Sequence, residues 1–442
     1  MLRLELSSPE SVTTVPPGKR FGRQSYFRAR TAAKARRPGP PRSTSESRAR
    51  LSLVLLLYFF GVVAVASLAP FRFSVPLGFE LVTGEWREVA TSALLCVPLG
   101  FLFPLTLAGR EPSAFRVCVL GLALGAGIEV ARVFTPERVA SVGNVVACAA
   151  GASVGGLLLR LVNQRIRESA KLAGRLSLET PLVALIYVLI PLVLSASLSA
   201  VGSLATMSLV PLGLLGARLI SAVQEHRWRP AGVFRTRAIA IIAACWMLLG
   251  SFPLILRDPL IGAGLVLLVA LATSHESSVP ALHGASMERR FEAEVLRGAV
   301  PYLVVYFLTA AFLPLAGGLA DWRIQLRLTG ADGDLAAQMI QLLEPLTALT
   351  VLGYVLAEAR GRRELAFRTA ARRIVVECTC VALVMEASRA FQRDVGASVV
   401  QFTLMVLAGV FGAGLYHMQR ERVRLILIQR AGHTPRTRLV TT

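Results

Sequence analysis

Twelve times along the chain, apolar residues run for close to the length that an α-helix needs to cross a hydrocarbon bilayer, about 20 residues. The runs lie near 51–70, 90–108, 115–134, 139–159, 180–199, 202–222, 237–256, 259–274, 299–318, 337–358, 372–391 and 398–417. A segment in lipid must satisfy its own backbone N–H and C=O groups. Runs of this number and length therefore predict an all-α fold: a polytopic membrane helical bundle of about 12 transmembrane helices. The short run 259–274 reads either as a full crossing or as a re-entrant segment. Composition points the same way, because 54% hydrophobic and 17% charged residues cannot cover a soluble protein of 442 residues with polar surface.

The net charge of +21 resembles a nucleic-acid signal until its distribution is followed. Residues 1–50 hold 12 Lys/Arg against three Glu, with no apolar periodicity, and read as a disordered basic cytoplasmic tail. No folded nucleic-acid motif accompanies that charge, so nucleic acid is excluded as a partner. The basic stretch is also too long for the start of a cleavable leader. With the N-terminus inside, the inner segments hold 39 of the 48 Lys/Arg. The outer loops keep nine: Arg72, Arg87, Arg132, Arg138, Arg257, Arg323, Arg327, Arg389 and Arg393. That asymmetry predicts twelve crossings with both termini cytoplasmic, 418–442 forming a second basic tail.

One hairpin recurs. The stretch Glu129–Gly155 places a carboxylate in an apolar run, then an Arg-bearing loop, then an apolar run rich in small residues. The same layout returns 257 positions later as Glu386–Gly412. Without a gap, the copies share Glu129/Glu386, Arg132/Arg389, Phe134/Phe391, Ala140/Ala397, Ser141/Ser398, Val142/Val399 and Gly155/Gly412. Shorter echoes pair Tyr58-Phe59 with Tyr306-Phe307, and Leu99-Gly100-Phe101 with Leu352-Gly353-Tyr354. The spans between the copies leave both in one orientation. The expectation is a parallel repeat of two four-helix units, 51–160 and 299–417, flanking a four-helix middle block at 180–274 that reads as scaffold.

The polar matches are the candidate site. An ionised carboxylate in hydrocarbon must pair, face water or take up a proton. Arg132 follows Glu129 by three positions and can reach back to it on one helical face. Glu129 then reads either as a carboxylate at the mouth of an outward-facing cavity or as half of a helix-end ion pair that fixes span depth. Ser141 and Asn144, on one face at the start of the next run, would complete a small polar nest with Arg132 and Arg138. Glu386, Arg389 and Ser398 would make its twin. Gly151-x-x-x-Gly155 is a motif for close helix packing. The six cysteines fall in apolar runs and read as buried small hydrophobes, and no His spacing builds a metal site. Asp321, Asp332 and Asp334 read as a solvated loop. No catalytic residue, metal or cofactor is predicted.

Val97-Pro98-Leu99-Gly100-Phe101, Gly127-Ile128-Glu129, Arg138, Asn144, Gly151 and Gly155 together resemble the VanZ-like membrane family over 51–160, with 299–417 as a diverged second copy. The family pattern has Asn where this chain has Ser92, Gln at Arg132, Asp at Ser141 and Asn144, and Asn at Cys148. The second copy keeps Glu386 but has Val395 in place of Arg138, with Arg393 two residues away. The resemblance implies a cell-envelope protein of the bacterial plasma membrane associated with glycopeptide tolerance. The leading expectation is a non-enzymatic protein that binds membrane lipid, or a lipid-linked cell-wall precursor, by its head group at the outer leaflet. The alternatives are a secondary transporter or lipid flippase, and then an intramembrane enzyme acting on a lipid-linked substrate.

Overall fold

A computed structural model describes residues 44–68, 81–82, 85–107, 113–134, 140–168, 181–200, 206–227, 233–278, 288–317, 324–325, 335–361, 367–392 and 396–432. These form twelve long helices: α1 (Thr44–Leu68), α2 (Trp86–Thr106), α3 (Ala114–Val133), α4 (Val142–Glu168), α5 (Pro181–Ser199), α6 (Leu209–Arg227), α7 (Val233–Arg257), α8 (Pro259–Ser278), α9 (Glu288–Phe312), α10 (Leu335–Gly361), α11 (Phe367–Arg389) and α12 (Val399–Gly432). Nine are long and apolar enough to cross a membrane. Two more, α6 and α8, have apolar stretches that are shorter, at Leu209–Val223 and Pro259–His275. The remaining one, α11, is apolar from Cys378 to Met385 but charged at Arg368, Arg372, Arg373, Glu377, Glu386 and Arg389. The polytopic helical bundle is as expected. The run at 259–274 is one unbroken helix packed along α6 and α7, so no re-entrant break occurs there.

The expected disorder of 1–50 needs correction at its inner edge, because helix α1 starts at Thr44; at the other end α12 runs on to Gly432. Residues 418–431 hold no Gly or Pro and consist largely of Met, Gln, Arg, Glu, Leu and Ile, which carry a formed helix onward. The other expectations for 1–43, the Asp residues at 321, 332 and 334, Arg138 and Arg393 fall outside the described residues. The cysteines also divide. Cys96, Cys148 and Cys378 are buried, Cys118 is half-buried, and Cys245 and Cys380 are exposed. A thiol is apolar enough to lie on a lipid-facing surface, and burial was not required.

The most intimate contact in the first unit joins α2 to α4, and glycine makes it possible. A Cβ on Gly151 would overlap the Ala93 carbonyl, one on Gly155 the Val97 carbonyl, and one on Gly100 the Ala152 carbonyl. Helices α10 and α12 meet in the same way: Gly353 faces the Gly409 carbonyl and Gly412 the Thr350 carbonyl. The echo Gly100/Gly353 thus occupies one packing position twice. Between the hairpin helices the small and large partners are exchanged. Gly121 packs on Ala152 in the first unit, whereas in the second Cys378 packs on Gly409.

Each unit also carries a two-residue parallel pairing just ahead of its helices. Leu81–Val82 (β1) pairs with Ala140–Ser141 (β2), and Ile324–Gln325 (β3) pairs with Ala397–Ser398 (β4). Helix α5 lies at the centre. Its Val188, Leu189, Leu192 and Val193 are fully buried, and it packs on α6, α7 and α10. Tyr354 of α10 donates to Pro181 O at the start of α5 (2.8 Å), and Phe101 near the end of α2 packs on Tyr187 (5.3 Å). The starts of α2 and α10, with their strand pairs, therefore gather at the end of α5, beside Ser199.

Candidate functional site

Glu129 sits one turn before the end of α3 and Arg132 follows on the same face, both buried. Arg132 Nη1 donates to Glu129 Oε1 (2.7 Å), and Asn144 Nδ2 donates to the same oxygen (3.1 Å). The backbone N–H of Ser141 donates to Oε2 (2.8 Å). Arg132 Nε reaches Ser67 O (3.3 Å), in the last turn of α1, where helix carbonyls lack internal partners. The charges of this cluster are thus met from α1, α3 and α4. What remains without a partner among the described residues is uncharged: Ser141 Oγ and Asn144 Oδ1. Ser141 enters the cluster through its main chain.

The second cluster starts from the same frame. Glu386 is buried one turn before the end of α11, and the backbone N–H of Ser398 donates to its Oε2 at 2.8 Å, the distance found for Ser141. From there the two diverge. Arg389 Nη1 stays 3.6 Å from Glu386 Oε1, and that oxygen accepts no hydrogen bond among the described residues. Gln401 stands where Asn144 stands in the first unit. Its backbone N–H is capped by Ser398 Oγ (3.3 Å), and its buried Nε2 has no partner among the described residues. Arg389 Nη2 donates instead to Gln341 O (3.4 Å). Pro345, four residues on, has no N–H for that carbonyl, so the arginine meets an acceptor that the helix itself leaves open.

Sequence reasoning missed the other half of this cluster. Glu344, next to Pro345 on α10, accepts from Tyr306 of α9 (3.0 Å) and from Ser199 of α5. Arg389 lies within electrostatic reach of the Glu344 carboxylate as well as that of Glu386. One turn along, Ser195 and Thr347 share a hydroxyl hydrogen bond (2.7 Å). The middle block therefore supplies side chains to the cluster as well as scaffold. The signal for Glu344 was present, a lone carboxylate in an apolar run. It lies outside the repeated hairpin, and at the equivalent position in the first unit stands the uncharged Thr91.

The predicted residues thus fall into two groups: Glu129, Arg132, Ser141 and Asn144 in one, Glu386, Arg389 and Ser398 in the other. Gly151 and Gly155 lie in the α2–α4 contact. Among the described residues no three His, Cys, Asp or Glu side chains come together as metal ligands would.

Long apolar helices with their charges drawn inward and paired define an integral, multi-pass membrane protein. Within it, residues 38–163 match the family model described as VanZ/LLP1. The resemblance of the first unit is borne out by that match, which covers α1 to α4 and the Glu129 cluster. No curated protein matches the chain, and no solved structure does.

Proposed function

We propose that this VanZ-like integral membrane protein holds the head group of a membrane lipid or lipid-linked cell-wall precursor at the end of the bundle where Ser199, Glu344 and Glu386 meet. The Glu386–Arg389–Gln401 cluster is the binding site, and the Glu129–Arg132 cluster is its structural counterpart. One observation carries the assignment. The first carboxylate has its charge satisfied by three internal donors, while among the described residues the second keeps an oxygen that accepts no hydrogen bond, and Gln401, at the position equivalent to Asn144, has an amide nitrogen that donates none. Buried polar atoms left in that state are costly, roughly 1–3 kcal/mol each, and a bound group relieves the cost.

The charge asymmetry of the loops supports placing this end at the outer leaflet of a bacterial plasma membrane, with both termini cytoplasmic. There the site meets envelope lipids, and teicoplanin susceptibility of a deletion strain is the cellular readout. The direct test is native mass spectrometry of the full chain released from nanodiscs of total bacterial lipid. A lipid retained by wild type and by Asn144→Leu, but lost from a Glu386→Gln, Gln401→Leu double variant, is the expected result. Equal retention by all three would sink the assignment.

A further inference from the structure

The unmet atoms of the second cluster state what they need. Glu386 Oε1, in the ionised carboxylate that pairs with Arg389, can only accept, whereas Gln401 Nε2 is an amide nitrogen and can only donate. Both belong to residues about 95% buried, and both flank Ser398. Its N–H holds the other oxygen of Glu386, and its Oγ holds the N–H of Gln401. In the first unit the equivalent atoms, Glu129 Oε1 and Asn144 Nδ2, bond each other at 3.1 Å. The second unit has one more methylene at that position and does not make the bond.

A group that satisfies both atoms at once must donate and accept through one small atom, and a hydroxyl does so. An ammonium offers nothing to the amide, and a phosphate offers nothing to the carboxylate. A phosphate also meets two carboxylates, Glu344 and Glu386, against the single Arg389. We infer that the site takes a hydroxyl-rich, uncharged head group, a sugar or other polyol, with one hydroxyl seated between Glu386 and Gln401. Arg389 lies beside it to donate to a neighbouring oxygen. The inference rests on the head-group reading above and adds the chemical class of the group.

The test uses the full chain in phosphatidylcholine nanodiscs doped at equal mole fraction with monoglucosyldiacylglycerol, diacylglycerol, phosphatidylglycerol or phosphatidylethanolamine, read by native mass spectrometry. The glucosyl lipid should be retained about tenfold or more over diacylglycerol, the loss expected when a hydrogen bond to a charged group goes unmade. Phosphatidylglycerol retained as well as the glucosyl lipid would overturn the uncharged assignment, because its phosphate would then be tolerated beside two carboxylates. Glucose competing the glucosyl lipid off supports the hydroxyl assignment and assigns recognition to the sugar alone. Gln401→Asn, which recreates the pair of the first unit and lets the residue bond Glu386 directly, should bring the glucosyl lipid down to the diacylglycerol level while the protein stays folded. Phosphatidylethanolamine retained in preference, and lost in Glu386→Gln, would overturn the hydroxyl assignment and leave head-group binding standing. No lipid retained above phosphatidylcholine would overturn both.

Discussion

Two hairpins in this molecule use the same main chain to opposite ends. In each, a glutamate one turn from the end of a helix accepts the backbone N–H of a serine at 2.8 Å, and an arginine follows at three residues. The first arginine closes on its glutamate at 2.7 Å, because its remaining reach is taken by a helix-end carbonyl close by. The second is drawn towards Gln341 O and Glu344 and stands off at 3.6 Å. A proline in α10 and one methylene at position 401 separate the first cluster, a closed lock, from the second, which keeps unmet atoms.

The largest effect that would break this comparison lies in the lock. Glu129→Ala leaves Arg132 buried without its counter-charge, and removing one partner of a buried pair costs about 3–5 kcal/mol. Glu386→Ala removes a looser partner from an arginine that keeps Gln341 O and Glu344, and should cost about 1–2 kcal/mol. Thermal unfolding in detergent should rank Glu129→Ala well below Glu386→Ala. Equal losses would show that the two clusters are one kind of thing. A double variant, Glu129→Gln with Arg132→Met, should recover most of the loss, since the penalty belongs to the stranded charge.

Packing provides the control, because there the two units agree. Gly155→Ala drives a methyl into the Val97 carbonyl, and Gly412→Ala drives one into the Thr350 carbonyl. Each forces two helix backbones apart, at a cost of about 1–3 kcal/mol. The same unfolding measurement should find the two indistinguishable. If Gly412→Ala were far milder, the second unit would be looser throughout, and its unmet atoms would reflect poor packing instead of a site.

How far this was visible in the chain alone follows from the same pairs. The hairpins stood out because a charged residue in an apolar run is costly, and two such residues with matching arginines are hard to produce by packing alone. The glycine contacts were also readable at Gly151 and Gly155, where spacing alone marks a surface for close approach. Which cluster keeps a carboxylate oxygen unmet was not readable. It turns on whether an amide reaches a carboxylate across 3.1 Å, and Asn and Gln differ there by a single methylene. Nor was the exchange of small and large partners at Gly121/Cys378 and Ala152/Gly409, since the spacing Gly121-x-x-x-Gly125 marks a close approach without saying which residue of the facing helix meets it. Glu344, Tyr306 and Ser199 come from three helices far apart in sequence, and only the fold brings them to one place.

The smallest effect is the sharpest test, because it asks the two units to trade roles. Asn144→Gln in the first unit lengthens the side chain that now bonds Glu129. If one methylene decides, that bond fails and the protein loses about 1 kcal/mol, the net worth of an ordinary hydrogen bond, because Glu129 keeps Arg132 and the Ser141 N–H as donors. Gln401→Asn in the second should gain a similar amount by closing the bond to Glu386. The two shifts have opposite signs, so their sum in the double exchange should lie near zero, with each measured as the change in unfolding midpoint against wild type. Shifts of the same sign would place the difference in the proline and the arginine, and would leave position 401 a bystander.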